Sequence, residues 1–305
     1  MDALSDVLSL MRLESCIYFE RDFAAPWGME MPDSPYAQFH MVIRGRCWLT
    51  FEGETTALNS GDVVMFPHGA RHCLLDTPLS PSIPGPAILE SMQLGQPMFV
   101  QGGERARLLC GHFELDRSID HPLLSELPNV IQVPALADQH PDWFAAVGNH
   151  LVLETGSAEP GAAVVASRLA EVLFIQVLRA HLQANPPLRG FLAANRDAQV
   201  SRALKVIHDG FAGELTLAGI AREAGMSRSG LAFRFKNVLG ETPMDYATRW
   251  RMLKAQELLN RTEVSLSDIA DQVGYNSESA FSHAFNRQFG QRPGTYRREA
   301  ATEVK

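Results

Sequence analysis

The chain has 305 residues, of which 46% are hydrophobic and 20% charged, with a formal net charge of −8. This length exceeds what one hydrophobic core usually organises, so we expect two or three folded units. No apolar run approaches the roughly 20 residues that span a bilayer, and the first residues lack the basic start of a secretion signal. Four cysteines are too few for a disulfide scaffold, so we expect a cytoplasmic protein with no membrane partner.

The first part of the sequence has the pattern of short β-strands separated by turns. Strand-like segments are predicted at residues 38–43, 47–52, 63–66 and 87–94, with glycine-containing turns between several of them. Short strands at even spacing are typical of a small barrel or jelly roll. We therefore predict a β-barrel domain over residues 1–135.

One passage in this region has a more specific spacing. Gly61 is followed by Pro67, Gly69 and His72, so that two tight turns would return His72 into the interior of the barrel. This spacing resembles the second sequence motif of the cupin barrels. The resemblance implies a cupin-type ligand-binding domain.

A metal site of the usual cupin kind is not expected. Metal-binding cupins take two histidines and a glutamate from an earlier strand, where this chain has Gln38, His40 and Arg44. We therefore predict no cofactor and no enzyme activity. Cys110 and His112 alternate onto one strand face and could join His40 and His72 as zinc ligands. The favoured interpretation is a metal-free effector pocket formed by Gln38, His40, His72, Cys110 and His112.

The cysteines offer a second kind of sensor. Arg71 and His72 adjoin Cys73, and His112 lies near Cys110; such neighbours can lower a thiol pKa and make it sensitive to oxidants. Buried cysteines are more often small core residues. We prefer a small-molecule effector over an oxidant.

From residue 142 the apolar residues recur at helical spacing, with a break at 156–161 between two predicted helices. This helical segment is assigned to residues 136–184. Leu169, Val172 and Leu173 suit a homodimer interface, and packing within one monomer fits the pattern equally well. Asn185-Pro186-Pro187 predicts the end of the second helix, and residues 185–198 a linker.

The same pattern occurs twice in residues 217–298. The first copy has Ala221, Gly225, Phe235, Gly240, Pro243 and Tyr246; the second has Ala270, Gly274, Phe285, Gly290, Pro293 and Tyr296. Alanine followed four residues later by glycine is typical of a helix-turn-helix, because the small residue allows close helix contact and glycine accepts a positive φ. Two copies in register predict helix-turn-helix motifs at 217–238 and 266–289.

Residues 215–298 closely resemble the DNA-binding domain of the AraC/XylS family of bacterial transcription regulators. The resemblance implies an all-α domain at residues 199–300, whose two motifs are joined by a helix from Met244 to Leu259. It also implies promoter DNA and RNA polymerase as partners, and effector-responsive activation, the family's usual mode. Residues 199–305 contain 15 Lys and Arg against 12 Asp and Glu, a mildly basic balance in an acidic chain.

The second helix of each motif is expected to enter a major groove, with the two grooves about 34 Å apart. Arginine and lysine there would hold phosphates, whereas Ala232 and Phe233 would meet thymine methyl groups. The predicted DNA-binding residues are Arg228, Ser229, Ala232, Phe233, Arg234, Lys236, Glu278, Ser279, Ser282, His283 and Arg287.

The predicted fold class is therefore two-domain α+β: a cupin-like barrel with a helical segment, then an all-α tandem helix-turn-helix domain. The alternative function is a cupin metalloenzyme, a dioxygenase or isomerase, fused to a DNA-binding module. Gln38 and Arg44 argue against it, because they stand where metal ligands are needed. A DNA-binding protein without any ligand is the third interpretation.

Overall fold

The structure is a computed structural model of the chain and describes residues 2–11, 13–96, 98–100, 102–115, 122–135, 141–187, 189–261 and 263–303, without the side chains of 122, 141, 142 and 300–303. The chain divides into two compact units. The sheet unit comprises residues 13–115 and 127–185, and the helical unit comprises residues 1–12, 116–126 and 186–305. No helix in the described part of the chain is long and apolar enough to cross a membrane.

Two five-stranded sheets form the sheet unit, in the orders β1-β9-β3-β6-β10 and β5-β4-β7-β2-β8. The strands are β1 Glu14–Ala24, β2 Gly28–Met31, β3 Ala37–Arg44, β4 Arg46–Phe51, β5 Glu54–Asn59, β6 Val63–Phe66, β7 His72–Leu75, β8 Ile83–Pro84, β9 Arg105–Glu114 and β10 Ile131–Val133. One buried cluster joins side chains of both sheets, such as Phe66 and Leu108 from the first and Leu49 and Leu74 from the second. This is the interior of the barrel that the sequence predicts.

The helices are α1 Ala3–Leu10, α2 Gly85–Gln93, α3 Pro122–Ser125, α4 Pro141–Thr155, α5 Ala162–Ala184, α6 Phe191–Arg196, α7 Ala198–Gly210, α8 Leu217–Glu223, α9 Arg228–Leu239, α10 Pro243–Arg261, α11 Leu266–Gln272, α12 Glu278–Phe289 and α13 Pro293–Glu303. Helices α2, α4 and α5 belong to the sheet unit. Helices α8–α9 and α11–α12 are the two predicted helix-turn-helix motifs, and α10 is the predicted joining helix, with Trp250, Leu253 and Leu259 buried.

Two elements differ from the sequence-based prediction. Residues 87–94 form most of helix α2 rather than a strand, because a short apolar run does not distinguish the two and Pro84 and Pro86 favour a helix start. Residues 185–198 are not an extended linker. Pro186 does follow the end of α5, but α6 then buries Phe191, Leu192 and Ala194.

The division of the chain also differs from the predicted domains. Helix α1, assigned from sequence to the barrel domain, packs on α6 and α7 in the helical unit. Helix α3 contacts α6 as well, and the Glu126 carboxylate accepts the backbone N–H groups of Phe191 at 2.7 Å and Leu192 at 3.1 Å. Two early segments are thus part of the C-terminal unit. The predicted boundary at 135–136 adjoins residues 136–140, which lie outside the described residues.

Candidate DNA-binding interface and sensor core

Helix α9 presents one face to solvent because its other face is fixed in the core. The Ser227 hydroxyl accepts the Gly230 N–H at 3.0 Å and begins the helix, and Gly240, with φ of 81°, ends it. Leu231 and Phe235, one turn apart, are fully buried. The opposite face carries the predicted residues Arg228, Ser229, Phe233 and Lys236, all exposed, with Ala232 partly buried.

Helix α12 repeats this arrangement. Ser277 accepts the Ala280 N–H at 3.2 Å, Gly290 ends the helix with φ of 72°, and Phe281 and Phe285 are buried. The predicted residues Glu278, Ser279, His283 and Arg287 are exposed, and Ser282 is partly buried. The duplicated sequence therefore produces two helices that share a serine cap and a buried pair at the same positions. The other face of each helix carries side chains that face the solvent.

The Phe233 side chain, predicted to meet thymine methyl groups, is 71% exposed and lies on the outer face of α9. Arg234 was expected to hold a phosphate, but its Nε donates to Asp197 Oδ2 at 2.7 Å and its Nη1 to Gln199 Oε1 at 2.9 Å. The Asp197 carboxylate also caps α7. Arg234 thus anchors α9 to α7, and a charge already paired in this way is a poorer phosphate ligand.

In the sheet unit, three of the predicted pocket residues form a buried hydrogen-bonded chain. Register between β3 and β9 places His40 opposite Cys110 and Gln38 opposite His112. His72 Nδ1 lies 2.7 Å from Ala70 O, which requires a proton on Nδ1. His72 Nε2 therefore accepts from His40 Nε2 at 2.7 Å, and His40 Nδ1 accepts from the Cys110 thiol at 2.9 Å.

The three hydrogen-bonded side chains His40, His72 and Cys110 are electrically neutral because burial disfavours the charged form of each. Burial lowers the pKa of His72 to about 4, and burial together with the neighbouring His72 lowers the pKa of His40 well below its usual value. Burial likewise raises the pKa of the Cys110 thiol. The His72 ring also stacks on Phe66 with 3.7 Å between centroids. These groups fill the barrel interior.

The zinc alternative does not fit this geometry. The two ring nitrogens of His40 face two different partners, His72 and Cys110, whereas metal ligands converge on one point. His112 turns instead to Glu114, at 3.0 Å, and Arg44 pairs with Asp22 at 2.7 Å near the surface. No group of three His, Cys, Asp or Glu side chains among the described residues is arranged to hold a metal ion.

The surroundings of the cysteines raise the pKa of their thiols. Burial and the Glu30 carboxylate raise the pKa of Cys73, and Arg71, which pairs with Glu30, opposes this only in part. Burial raises the pKa of Cys47 to about 12, and burial also raises that of the more exposed Cys16. The expectation that Arg71 and His72 lower the Cys73 pKa is wrong, because desolvation outweighs the guanidinium charge.

Comparison with known proteins assigns both halves of the chain. A family model described as Cupin matches residues 2–183, and one described as Helix-turn-helix domain matches residues 220–299. A Streptomyces antibioticus protein described as an AraC-like transcription regulator is 34% identical over 302 residues, covering 98% of this chain and 99% of that protein. This chain belongs to the AraC family of transcription regulators. It is therefore a DNA-binding protein of transcription regulation, as its duplicated motif predicts.

Other AraC-type proteins are similar over different lengths. The HTH-type transcriptional regulator AlkR of Acinetobacter baylyi is 28% identical over 310 residues, which cover 98% of this chain and 100% of that protein. The crystal structure of the AdpA DNA-binding domain with a target DNA is 26% identical, with a TM-score of 0.33, and covers 35% of this chain and 96% of that chain. The relatives are regulators, which does not favour the metalloenzyme alternative.

Two polar interactions of this AraC-family regulator, the Asp197 cap and the hydrogen bonds of His208, were not predicted from the sequence. Asp197 could have been found, since an Asp before a helical pattern is a common cap. The second group could not: His208 Nδ1 donates to Asp6 Oδ2 at 3.0 Å, and the Tyr246 hydroxyl donates to His208 Nε2 at 2.8 Å. Asp6 and His208 are far apart in sequence, and no local pattern connects them.

Proposed function

We propose that this regulator reads two successive major grooves of promoter DNA with α9 and α12 and alters transcription when the sheet unit binds a small-molecule effector. The supporting observation is the equivalence of the two helices, each of which is capped by serine, anchored by a buried pair and mainly polar on its outer face. We infer activation through RNA polymerase in the cytoplasm, since the relatives RclR of Escherichia coli and RhaS of Citrobacter koseri are named transcriptional activators.

The proposed phosphate contacts and base contacts of these helices predict different effects of substitution. Lys236→Gln removes a charge expected to contact a phosphate, so binding to all DNA sequences should weaken alike. The slope of log binding constant against log salt concentration should become shallower by about one. Ser279→Ala should instead change base preference at one position by about 1–3 kcal/mol. Titration of the full chain with specific and scrambled duplexes at several salt concentrations measures both.

Lys205→Gln is the matched control, because Lys205 is exposed, pairs with Asp209 on α7 and does not belong to α9 or α12. Equal, sequence-independent losses from the Lys236 and Ser279 variants would contradict the assigned roles.

The effector site that we propose is a cavity of about 750 Å³ at one end of the barrel. We prefer it to the predicted interior pocket because His40, His72 and Cys110 of that pocket bond to one another. Its charged lining residues are Arg46 and Arg105, both exposed, together with Asp76 and Glu104. The Trp48 indole, which is partly buried, provides an apolar wall, so a small polar molecule with an apolar body suits the site. We infer binding without chemical conversion, because Gln38 and Arg44 stand where a metal-dependent enzyme needs ligands.

A small-molecule sensor and a thiol sensor respond differently to loss of the cysteines. Since burial raises the pKa of Cys16, Cys47, Cys73 and Cys110, few thiolates are present at neutral pH. Treatment with hydrogen peroxide should therefore leave promoter output unchanged, in the wild type and in a variant with all four cysteines replaced by serine. A peroxide response in the wild type that the variant lacks would favour thiol sensing.

We also propose a homodimer formed through α5. Ala166, Ala170 and Leu173 are buried within the unit, so for Leu173 the alternative of packing within one monomer holds. Val165 and Val172 are 44% and 42% exposed and lie two turns apart on the outer face, with Leu169 partly buried between them. A second copy would cover this apolar stripe.

The Val172→Glu variant tests the dimer. We expect a folded monomer by light scattering, because the charge would be desolvated in a dimer and solvated in the monomer. Ala146→Glu, which adds the same charge at an exposed position of α4, is the control for the charge change. An unchanged assembly state with Val172→Glu would contradict this interface.

A further inference from the structure

The loop between α7 and α8 connects the two helix-turn-helix motifs a second time. Phe211 directly follows α7, in the loop that leads into the first motif, and packs against the buried core of the second motif. That core comprises Met252, Ala255, Leu259, Ile269, Ala270, Val273, Phe281, Phe285 and Tyr296. Helix α10 links the motifs covalently, and this loop links them by packing.

Arg251 of the joining helix fastens the loop. Its Nε donates to Phe211 O at 2.7 Å, and its Nη2 donates to Gly213 O at 2.7 Å. The same guanidinium lies over the Tyr275 ring, 5.8 Å from the centroid. One side chain thus contacts the loop that leads into the first motif and the turn of the second motif. A guanidinium fork holds such paired carbonyls in a fixed direction.

The turn of the second motif approaches the loop so closely that it excludes a side chain. Gly274 has a φ of 79°, and a Cβ there would lie 2.7 Å from Ala212 O and 3.0 Å from Ala212 C. At Gly290, with φ of 72°, a Cβ would meet nothing within 4 Å. Gly274 is therefore required for contact between the motifs as well as for its backbone conformation.

We propose that this junction of residues 211–213, Arg251, Gly274 and Tyr275 fixes the relative orientation of α9 and α12 and so sets the spacing of the two half-sites on DNA. The inference rests on the proposed reading of two grooves. A single helix can bend or twist, but two attachments to one rigid core restrain both motions. One added base pair moves a half-site by about 3.4 Å and rotates it by about 35°, which a rigid pair of helices cannot follow. Arg251 is a positioning residue, which acts without touching DNA.

The experiment measures binding of the full chain to duplexes of graded spacing. The parent duplex is selected from a random-sequence library by the wild-type chain, and derivatives carry one to five added or deleted base pairs between the half-sites. We expect a one-base-pair insertion to weaken wild-type binding by about 10-fold or more. In Arg251→Met and Gly274→Ala the penalty should fall below about 3-fold, with weaker binding at the parent spacing.

Two matched variants separate orientation from general damage. Arg261→Met makes the same change on the same helix, where the side chain pairs with Glu257, and Gly290→Ala imposes the same positive φ without a contact. Both should keep the wild-type spacing penalty. Arg251→Lys, which retains the charge and one donor, should give an intermediate penalty and serves if Arg251→Met does not fold.

The inference is overturned if folded junction variants keep the full penalty, or if the wild type tolerates insertions. Scrambling each half-site separately, in the same titrations, tests the reading of two grooves. If either half-site can be scrambled without loss, the proposed function fails and the inference fails with it; if both are needed but spacing is tolerated, the inference alone fails.

Discussion

Replacing Val7 by aspartate is expected to lower the free energy of unfolding of the helical unit by at least about 3 kcal/mol and to impair DNA binding. Val7 is 0% exposed, and Leu4 and Leu10 are buried beside it on α1. Because α1 packs on α6 and α7, a charge at this position would be desolvated without a partner. Calorimetric unfolding of the full chain, with DNA titration in parallel, measures the effect.

Ser9→Asp is the control, since Ser9 is exposed on the same helix. If the two variants unfold alike, α1 is not part of the DNA-binding unit.

The polar contacts of α1 predict a smaller loss of unfolding free energy for Asp6→Ala, about 1–3 kcal/mol, because the buried His208 N–H would lose its acceptor. His208 also stacks on Trp250 of the joining helix α10, with 3.7 Å between ring centroids, so loss of the Asp6 contact should also destabilise α10.

Acidification should destabilise the sheet unit through its two buried histidines. Burial lowers the folded-state pKa of His72 from 6.5 to about 4 and lowers that of His40 well below 6.5. The unfolded chain therefore binds more protons as pH falls from 6.5 towards 4, and stability is lost over that window. His72 alone should remove about 3 kcal/mol at pH 4, relative to pH 7.

Urea unfolding of the sheet unit between pH 7 and pH 4 checks this expectation. A His40→Leu, His72→Phe variant should lose much of the pH dependence between 6.5 and 4, whereas His150→Gln, at an exposed position, should keep it. Carboxylates contribute below pH 5 in every variant, so the comparison rests on the difference between them. Equal slopes in all three proteins would show that the buried histidines are not neutral in the folded unit.

The sequence by itself determined the features that arise from local patterns. The repeated Ala-Gly-Phe-Gly-Pro-Tyr spacing placed both helix-turn-helix motifs and the joining helix, because caps, glycine turns and a buried i, i+4 pair all lie within one motif. The same holds for the outer faces of α9 and α12, since two buried positions fix the direction of the rest of a helix. The second cupin motif correctly placed His72 inside the barrel.

Only the tertiary structure decided which groups meet across long stretches of chain. The apolar run at 87–94 carries no signal that separates a strand from a helix. Likewise, three of the five polar residues predicted to line a pocket bond to one another, because β3, β7 and β9 bring His40, His72 and Cys110 within hydrogen-bonding distance. Helix α1 joins the DNA-binding unit, and Arg251 holds the loop at 211–213, through contacts that no periodicity encodes. Periodicity reports which face of an element is buried, and the partner that covers it depends on the folded chain as a whole.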